Sequence, residues 1–162
     1  MNIVSHPMFK WLFVSGIIVV IDQITKQLAE NSLELYERVA VIPFFNLTLA
    51  YNEGAAFSFL ADAGGWQRWF FVILTIVICT VLIIWLKKTD NKIEQWAISL
   101  VLAGAIGNNL IDRLLFGHVI DFLDVYYDVH HWPAFNVADM AISGGVALFI
   151  LATFVHRPVE EK

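Results

Sequence analysis

Between Arg68 and Lys87 the chain runs for eighteen residues without a formal charge, WFFVILTIVICTVLIIWL. An α-helix needs about twenty apolar residues to cross a bilayer, and only a helix or a closed barrel satisfies its backbone there. This stretch reads as a transmembrane helix, so the remainder must fold against it in lipid. Composition agrees: 59% of the 162 residues are hydrophobic, 15% are charged and the mean hydropathy is +0.68. An ordinary soluble domain is excluded. The expected fold is an all-α membrane bundle of one domain, residues 1–162, with spans near 11–29, 69–86, 94–115 and 135–155.

The first apolar run begins like a signal peptide, with Lys10 ahead of it. Asp22, Gln23 and Lys26 follow, however, with no small-x-small cleavage site, so the helix is expected to be retained. Lys87, Lys88 and Lys92 crowd the turn after the second span. With Lys10, Arg157 and Lys162 they place six of the ten basic residues on one side, which the positive-inside tendency makes cytoplasmic. Both termini are then inside. The net charge of −5 comes from scattered acids, and no basic cluster suggests nucleic acid. Cys79, the single cysteine, lies in an apolar run and packs as a small hydrophobe.

The non-spanning segment 30–68 alternates polar and apolar residues in NSLELYERVAVIPFFNLTLAYN, as short strands do. Asn52-Glu53-Gly54 is a turn signal, and Gly64-Gly65 precedes Trp66 and Trp69, which suit an interfacial aromatic belt. The segment is expected to form a small β platform and a short amphipathic piece at the outer membrane face. Residues 52–60 are a candidate lid.

Acids interrupt this apolar background. An ionisable group at membrane depth is costly and usually marks a functional site. Asp22 and Lys26, four apart on one helical face, read as a structural ion pair or as a direct contact to substrate. Asn108, Asn109, Asp112 and Arg113 can satisfy one another locally, and Gly104, Ala105 and Gly107 allow close helix approach. Asn136 with Asp139 three residues on is a capping pattern for the fourth span. Asp121, in Val119-Ile120-Asp121-Phe122, falls near the same outer face.

Two readings of these aspartates follow. In one, Asp139 caps its helix and Asp121 lies in a solvated loop. In the other they form a pair that cannot both ionise, so one is an acid and the other a base able to activate water against an amide. No metal or cofactor is required for that chemistry. Asp124 and Asp128 read as exposed loop acids. Asp128, His130 and His131 lack a matching third ligand for zinc, and Ser143 with His118 lacks the local sequence of a serine nucleophile. A proton-coupled transporter relaying through Asp22, Asp112, Asp121 and Asp139 is the alternative to a peptidase.

Five ordered motifs resemble the lipoprotein signal peptidases, or signal peptidase II: Asp22-Gln23-Ile24-Thr25-Lys26, Tyr51-Asn52-Glu53-Gly54-Ala55-Ala56-Phe57, Gly104-Ala105-Ile106-Gly107-Asn108 with Asp112-Arg113, Gly117-His118-Val119-Ile120-Asp121-Phe122, and Phe135-Asn136-Val137-Ala138-Asp139. Residues 57–69 look like the proteobacterial branch. The resemblance implies four spans with a β-cradle and a short helix at the periplasmic face. It further implies a monomeric aspartic endopeptidase of the bacterial inner membrane that acts without cofactor. Its implied partners are a diacylglyceryl-modified prolipoprotein, membrane lipid and a globomycin-type inhibitor, with cleavage on the amino side of the modified cysteine. Asp121 and Asp139 fall on the family's catalytic positions; Asn52, Gly54, Asn108 or Asn109, Arg113, Asn136 and Ala138 fall on positions lining or supporting the substrate and inhibitor site. One departure stands out: three residues rather than two separate Gly107-Asn108 from Asp112-Arg113. A π-bulge would absorb the extra residue.

Overall fold

A computed structural model describes residues 7–54 and 64–155. Residues 55–63, which hold most of the candidate lid, lie outside the described residues. Among the described residues, four helices are long and apolar enough to cross a membrane: Met8–Ser32, Trp66–Leu86, Lys92–Leu115 and Val137–Val155. The first belongs to α1 (Pro7–Ser32) and the second is α2 (Trp66–Leu86). The third begins as α3 (Lys92–Ala105), passes through a π-helical segment (Ile106–Asp112) and ends in one α-helical turn, α4 (Arg113–Leu115). The fourth is α5 (Val137–Val155). The extra residue between Asn108 and Asp112 is thus taken up as π-helix.

The ends of the spans differ from expectation for local reasons. α2 starts at Trp66 because Gly65, at φ 96°, takes the left-handed turn that precedes it, a conformation glycine adopts without steric cost. Trp66 and Trp69 therefore belong to the first turn of α2, both about half exposed. α5 starts two residues late because Phe135 is still bonded to a strand, its N–H donating to the carbonyl of Leu123 at 3.0 Å. α3 starts at Lys92, where Asn91 accepts from the N–H of Ile93 at 2.9 Å as an N-cap.

Among the described residues, four strands form one antiparallel sheet in the order β1 (Arg38–Ile42), β2 (Phe45–Asn52), β3 (Val119–Tyr127), β4 (His130–His131). The sequence signals only the first two. β3, VIDFLDVYY, is rich in β-branched and aromatic residues, although its acids Asp121 and Asp124 made a loop the expectation there. Gly117, at φ 87°, ends that span and turns the chain into β3.

Helix contact rests on small residues. A Cβ on Gly145 would sit 2.6 Å from Val101 Cγ2 and 2.8 Å from the carbonyl of Ala97, and one on Gly104 would run into the carbonyl of Ala138. α3 and α5 therefore approach backbone to backbone, as helices in lipid do when small residues line the seam. Toward the end of the bundle that carries the Lys87–Asn91 connection, Trp11, Cys79, Leu82, Leu86, Ile98, Leu102 and Ala105 form an apolar core. Lipid-facing side chains such as Ile73, Ile76 and Val81 are exposed. The sheet, the N-termini of α2 and α5 and the C-termini of α1 and α4 share the opposite end, where the polar residues gather.

Candidate active site

The polar centre is built on Lys26. Its Nζ lies 2.7 Å from Asp22 Oδ2, 2.8 Å from Asp112 Oδ2 and 2.7 Å from Asn108 Oδ1. Lys26, Asp22 and Asp112 are at most 1% exposed. A buried charge is tolerated only when paired and hydrogen-bonded, and one lysine here serves two carboxylates from two helices. Gln23, given no role of its own within the 22–26 motif, donates to Asp112 Oδ1 at 2.8 Å and to Asp22 Oδ2 at 3.2 Å. Its signal was its place beside Asp22 on an otherwise apolar helix. Asp22 Oδ1 accepts the N–H of Ala138 at 2.9 Å, so the first span helps cap the start of the fourth. Gly107 allows this, since a Cβ there would lie 2.7 Å from Asp22 Oδ2.

The two asparagines of the π segment divide the work. Asn108 turns inward, accepting from Lys26 and donating to Asp139 Oδ1 at 2.8 Å. Asn109 accepts from Arg113 Nε at 2.9 Å. The π-helical turn permits consecutive asparagines to face such different partners. The local network expected among these four residues exists only for Asn109 and Arg113; Asn108 and Asp112 are satisfied across helices.

Arg113 stands 4.6 Å over the ring of Phe71 and donates to the carbonyls of Glu53, at 2.9 Å, and Gly54. It thereby holds the turn after β2. Within that turn the N–H of Gly54 donates to Asn52 Oδ1 at 3.0 Å, and the Asn52 side chain hydrogen-bonds Asp121.

Asp121 is 4% exposed and lies on β3, not in a solvated loop. Asn136 donates to its Oδ1 at 2.7 Å and to the carbonyl of Ile120 at 3.1 Å. The capping pattern is present in full: the N–H of Asp139 donates to Asn136 Oδ1 at 3.0 Å, and the N–H of Asn136 donates to Asp139 Oδ2 at 3.1 Å. One residue thus touches both carboxylates. Burial, then the neighbouring Asp139, push the Asp121 carboxyl up to about 8, against the opposing pull of Lys26 and of its asparagine partners.

The other candidates fall elsewhere. Asp124 corrects the expectation of an exposed loop acid: it is buried on β3, and Asn46 and His131 hydrogen-bond it. Burial raises its carboxyl, but these partners and Arg38 outweigh that and leave it below the usual carboxylate range. Asp128 is exposed in the turn after β3. Ser143 is exposed on α5, whereas His118 stacks on Tyr51 with ring centroids 4.1 Å apart. Among the described residues, no group of three or more His, Cys, Asp and Glu is placed to hold a metal ion.

Fold and site together define a polytopic membrane protein with a buried, hydrogen-bonded carboxylate centre at one end of its bundle. The family model for signal peptidase (SPase) II matches residues 14–155. A lipoprotein signal peptidase of Hydrogenovibrio crunogenus is 51% identical, over 100% of this chain and 95% of its own length. One from Pseudomonas putida is 49% identical, over 93% and 90% respectively. A solved bacterial membrane enzyme structure, obtained at 2.3 Å by the in meso method, superposes with a TM-score of 0.82 at 35% identity, covering 97% of this chain and 96% of that one. The chain belongs to the signal peptidase II family and is thus of peptidase type, a multi-pass protein of the bacterial inner membrane. The transporter alternative finds no support in these matches.

Proposed function

We propose that this chain removes signal peptides from prolipoproteins, cutting on the amino side of a diacylglyceryl-modified cysteine, and that Asp121 and Asp139 perform the hydrolysis. The observation that carries this reading is the bridge through Asn136, whose side chain holds Asp121 while its backbone N–H holds Asp139. Asp121 keeps a proton at neutral pH, in line with its burial beside a second acid. Asp139 is the charged member, placed at a helix start where a negative charge is favoured.

The chemistry follows from that division. Water between the carboxyls attacks the scissile carbonyl carbon as Asp139 takes one of its protons, and Asp121 donates its proton to the carbonyl oxygen. The tetrahedral intermediate then collapses, the C–N bond breaks, and a carboxyl returns a proton to the departing amine. Asn52, Asn108 and Asn136 orient the two acids, and Arg113 holds the Asn52–Gly54 turn that would border the peptide. Lys26, with Asp22 and Asp112, holds the three helices that carry these groups in one register. Ala138 leaves room for that approach.

The chain works in this reading as one monomeric membrane domain, with both termini cytoplasmic and the carboxylates near the periplasmic face. The substrate's acyl chains stay in lipid, and a globomycin-type peptide would compete for the space its peptide takes. The test is cleavage of paired prolipoproteins, diacylglyceryl-modified and unmodified, by the purified chain. The reading expects the modified substrate alone to be cut. Equal cutting of both would remove the lipid from the specificity, and cutting of neither would end the reading.

A further inference from the structure

A second buried carboxylate lies three residues beyond Asp121 on β3, and the alternation of a strand puts it on the opposite face of the sheet. It is Asp124, and the other three strands all reach it. Asn46 of β2 donates to Oδ2 at 2.8 Å, Arg38 Nε of β1 lies 3.6 Å away, and His131 Nδ1 of β4 lies 2.8 and 3.0 Å from its two oxygens. The imidazole is also stacked on Tyr126, ring centroids 5.3 Å apart. No step of the hydrolysis uses this cluster.

What needs holding is the return segment, residues 130–136, which ends in Asn136. Its register against β3 changes along its length: His131 pairs with Tyr126, but Phe135 pairs with Leu123. Residues 132–134 therefore face only residues 124–125, so the return side carries one extra residue. That is a bulge. Pro133, inside it, has no N–H with which to anchor the backbone. Were the surplus residue to be drawn out so that the pairing of Phe135 slipped by one, alternate side chains would change faces and Asn136 would leave Asp121. The bulge is closed on one side by Phe135 and on the other by the bond between His131 and Asp124.

We propose that Asp124 and His131 are positioning residues for the hydrolysis, pinning the bulge of the return segment and so seating Asn136 between Asp121 and Asp139. This rests on the reading of Asp121 and Asp139 as the reacting pair. Their pairing acts at a distance from the peptide, through the backbone of residues 131–136.

The experiment is steady-state cleavage of a diacylglyceryl-modified prolipoprotein by the full chain in detergent, with melting curves for every variant. The variants are His131→Ala, His131→Asn, Asp124→Ala and the Asp124→Ala/His131→Ala double. Asparagine at 131 returns an amide donor close to the position of Nδ1. A displacement of Asn136 should lower kcat of His131→Ala by about tenfold or more, with KM within about twofold. His131→Asn should recover to within about threefold of wild type, and the double variant should be no slower than Asp124→Ala alone, because the two side chains act as one unit. Unchanged kcat per folded His131→Ala enzyme, no recovery with asparagine, or losses that multiply in the double would each overturn the proposal. Where Asp124→Ala does not fold, the two position-131 variants decide it. Asp121→Asn, run alongside, separates the two levels. If it cleaves like wild type the underlying reading fails; if it is inactive and His131→Ala is not impaired, only the positioning claim fails.

Discussion

Asn136 donates its side-chain amide to Oδ1 of Asp121 across 2.7 Å. The same residue caps α5 and, through its backbone N–H, holds Asp139 at 3.1 Å. Asn136→Ala removes the amide from Asp121 and the cap from the helix together. Turnover is expected to fall by about a hundredfold, the scale of a small misplacement of reacting groups. Lost capping should lower stability by about 1 kcal/mol. Kinetics and melts on the same preparation check both.

Lys26→Met should be a folding defect before it is a catalytic one. It leaves Asp22 and Asp112 buried without their cation, and breaking such a pair from one side costs about 3–5 kcal/mol. Adding Asp112→Asn to Lys26→Met should return part of that loss. Unfolding curves in detergent would show it; a double variant less stable than the single would contradict the pairing.

The seam between α3 and α5 offers an internal control. Gly145→Ala drives a methyl into Val101 and the carbonyl of Ala97, while Gly144→Ala meets nothing nearer than Leu100 Cδ1 at 3.8 Å. Overpacking at Gly145 should cost about 1–3 kcal/mol, and Gly144→Ala should be close to neutral. Adjacent glycines with opposite outcomes would separate helix approach from backbone flexibility.

Asp121 supplies a pH dependence with a defined sign. Its folded carboxyl is raised to about 8 from an ordinary value of 3.8. The group favours the folded state fully below 3.8 and progressively loses that contribution as pH rises through about 8. The proton needed by the carbonyl oxygen is lost over the same upper range, so kcat/KM should decline through about pH 8. In Asp121→Asn the stability term should vanish. A wild-type rate still rising above pH 9 would contradict the assignment of Asp121 as the acid.

What was legible in the sequence is what local spacing encodes. The four spans followed from apolar run length, the Asp22 and Lys26 pair from the helical repeat, and the reciprocal cap from Asn136 and Asp139. Even the π segment was foreshadowed by one surplus residue before Asp112. The misses all involve partners far apart in sequence. Asp124 looked like a loop acid among Tyr126, Tyr127 and His130 because its burial depends on Asn46, 78 positions away. Asn108 looked local, but its partners are 82 and 31 positions distant. Gln23 stood out only as part of the 22–26 motif, its partner Asp112 lying 89 positions away, and β3 was expected to be loop because its main strand partner, β2, lies some seventy positions earlier.

The most direct measurement of the central claim is turnover of a diacylglyceryl-modified prolipoprotein by wild type, Asp121→Asn and Asp139→Asn, with melting curves and a metal chelator on the wild type. Asp121 and Asp139 as the paired acids predict that both variants still fold, as a cooperative melt shows, and lose cleavage by about 10⁴-fold or more, and that the chelator changes nothing. Cleavage retained by either folded variant would contradict the pair.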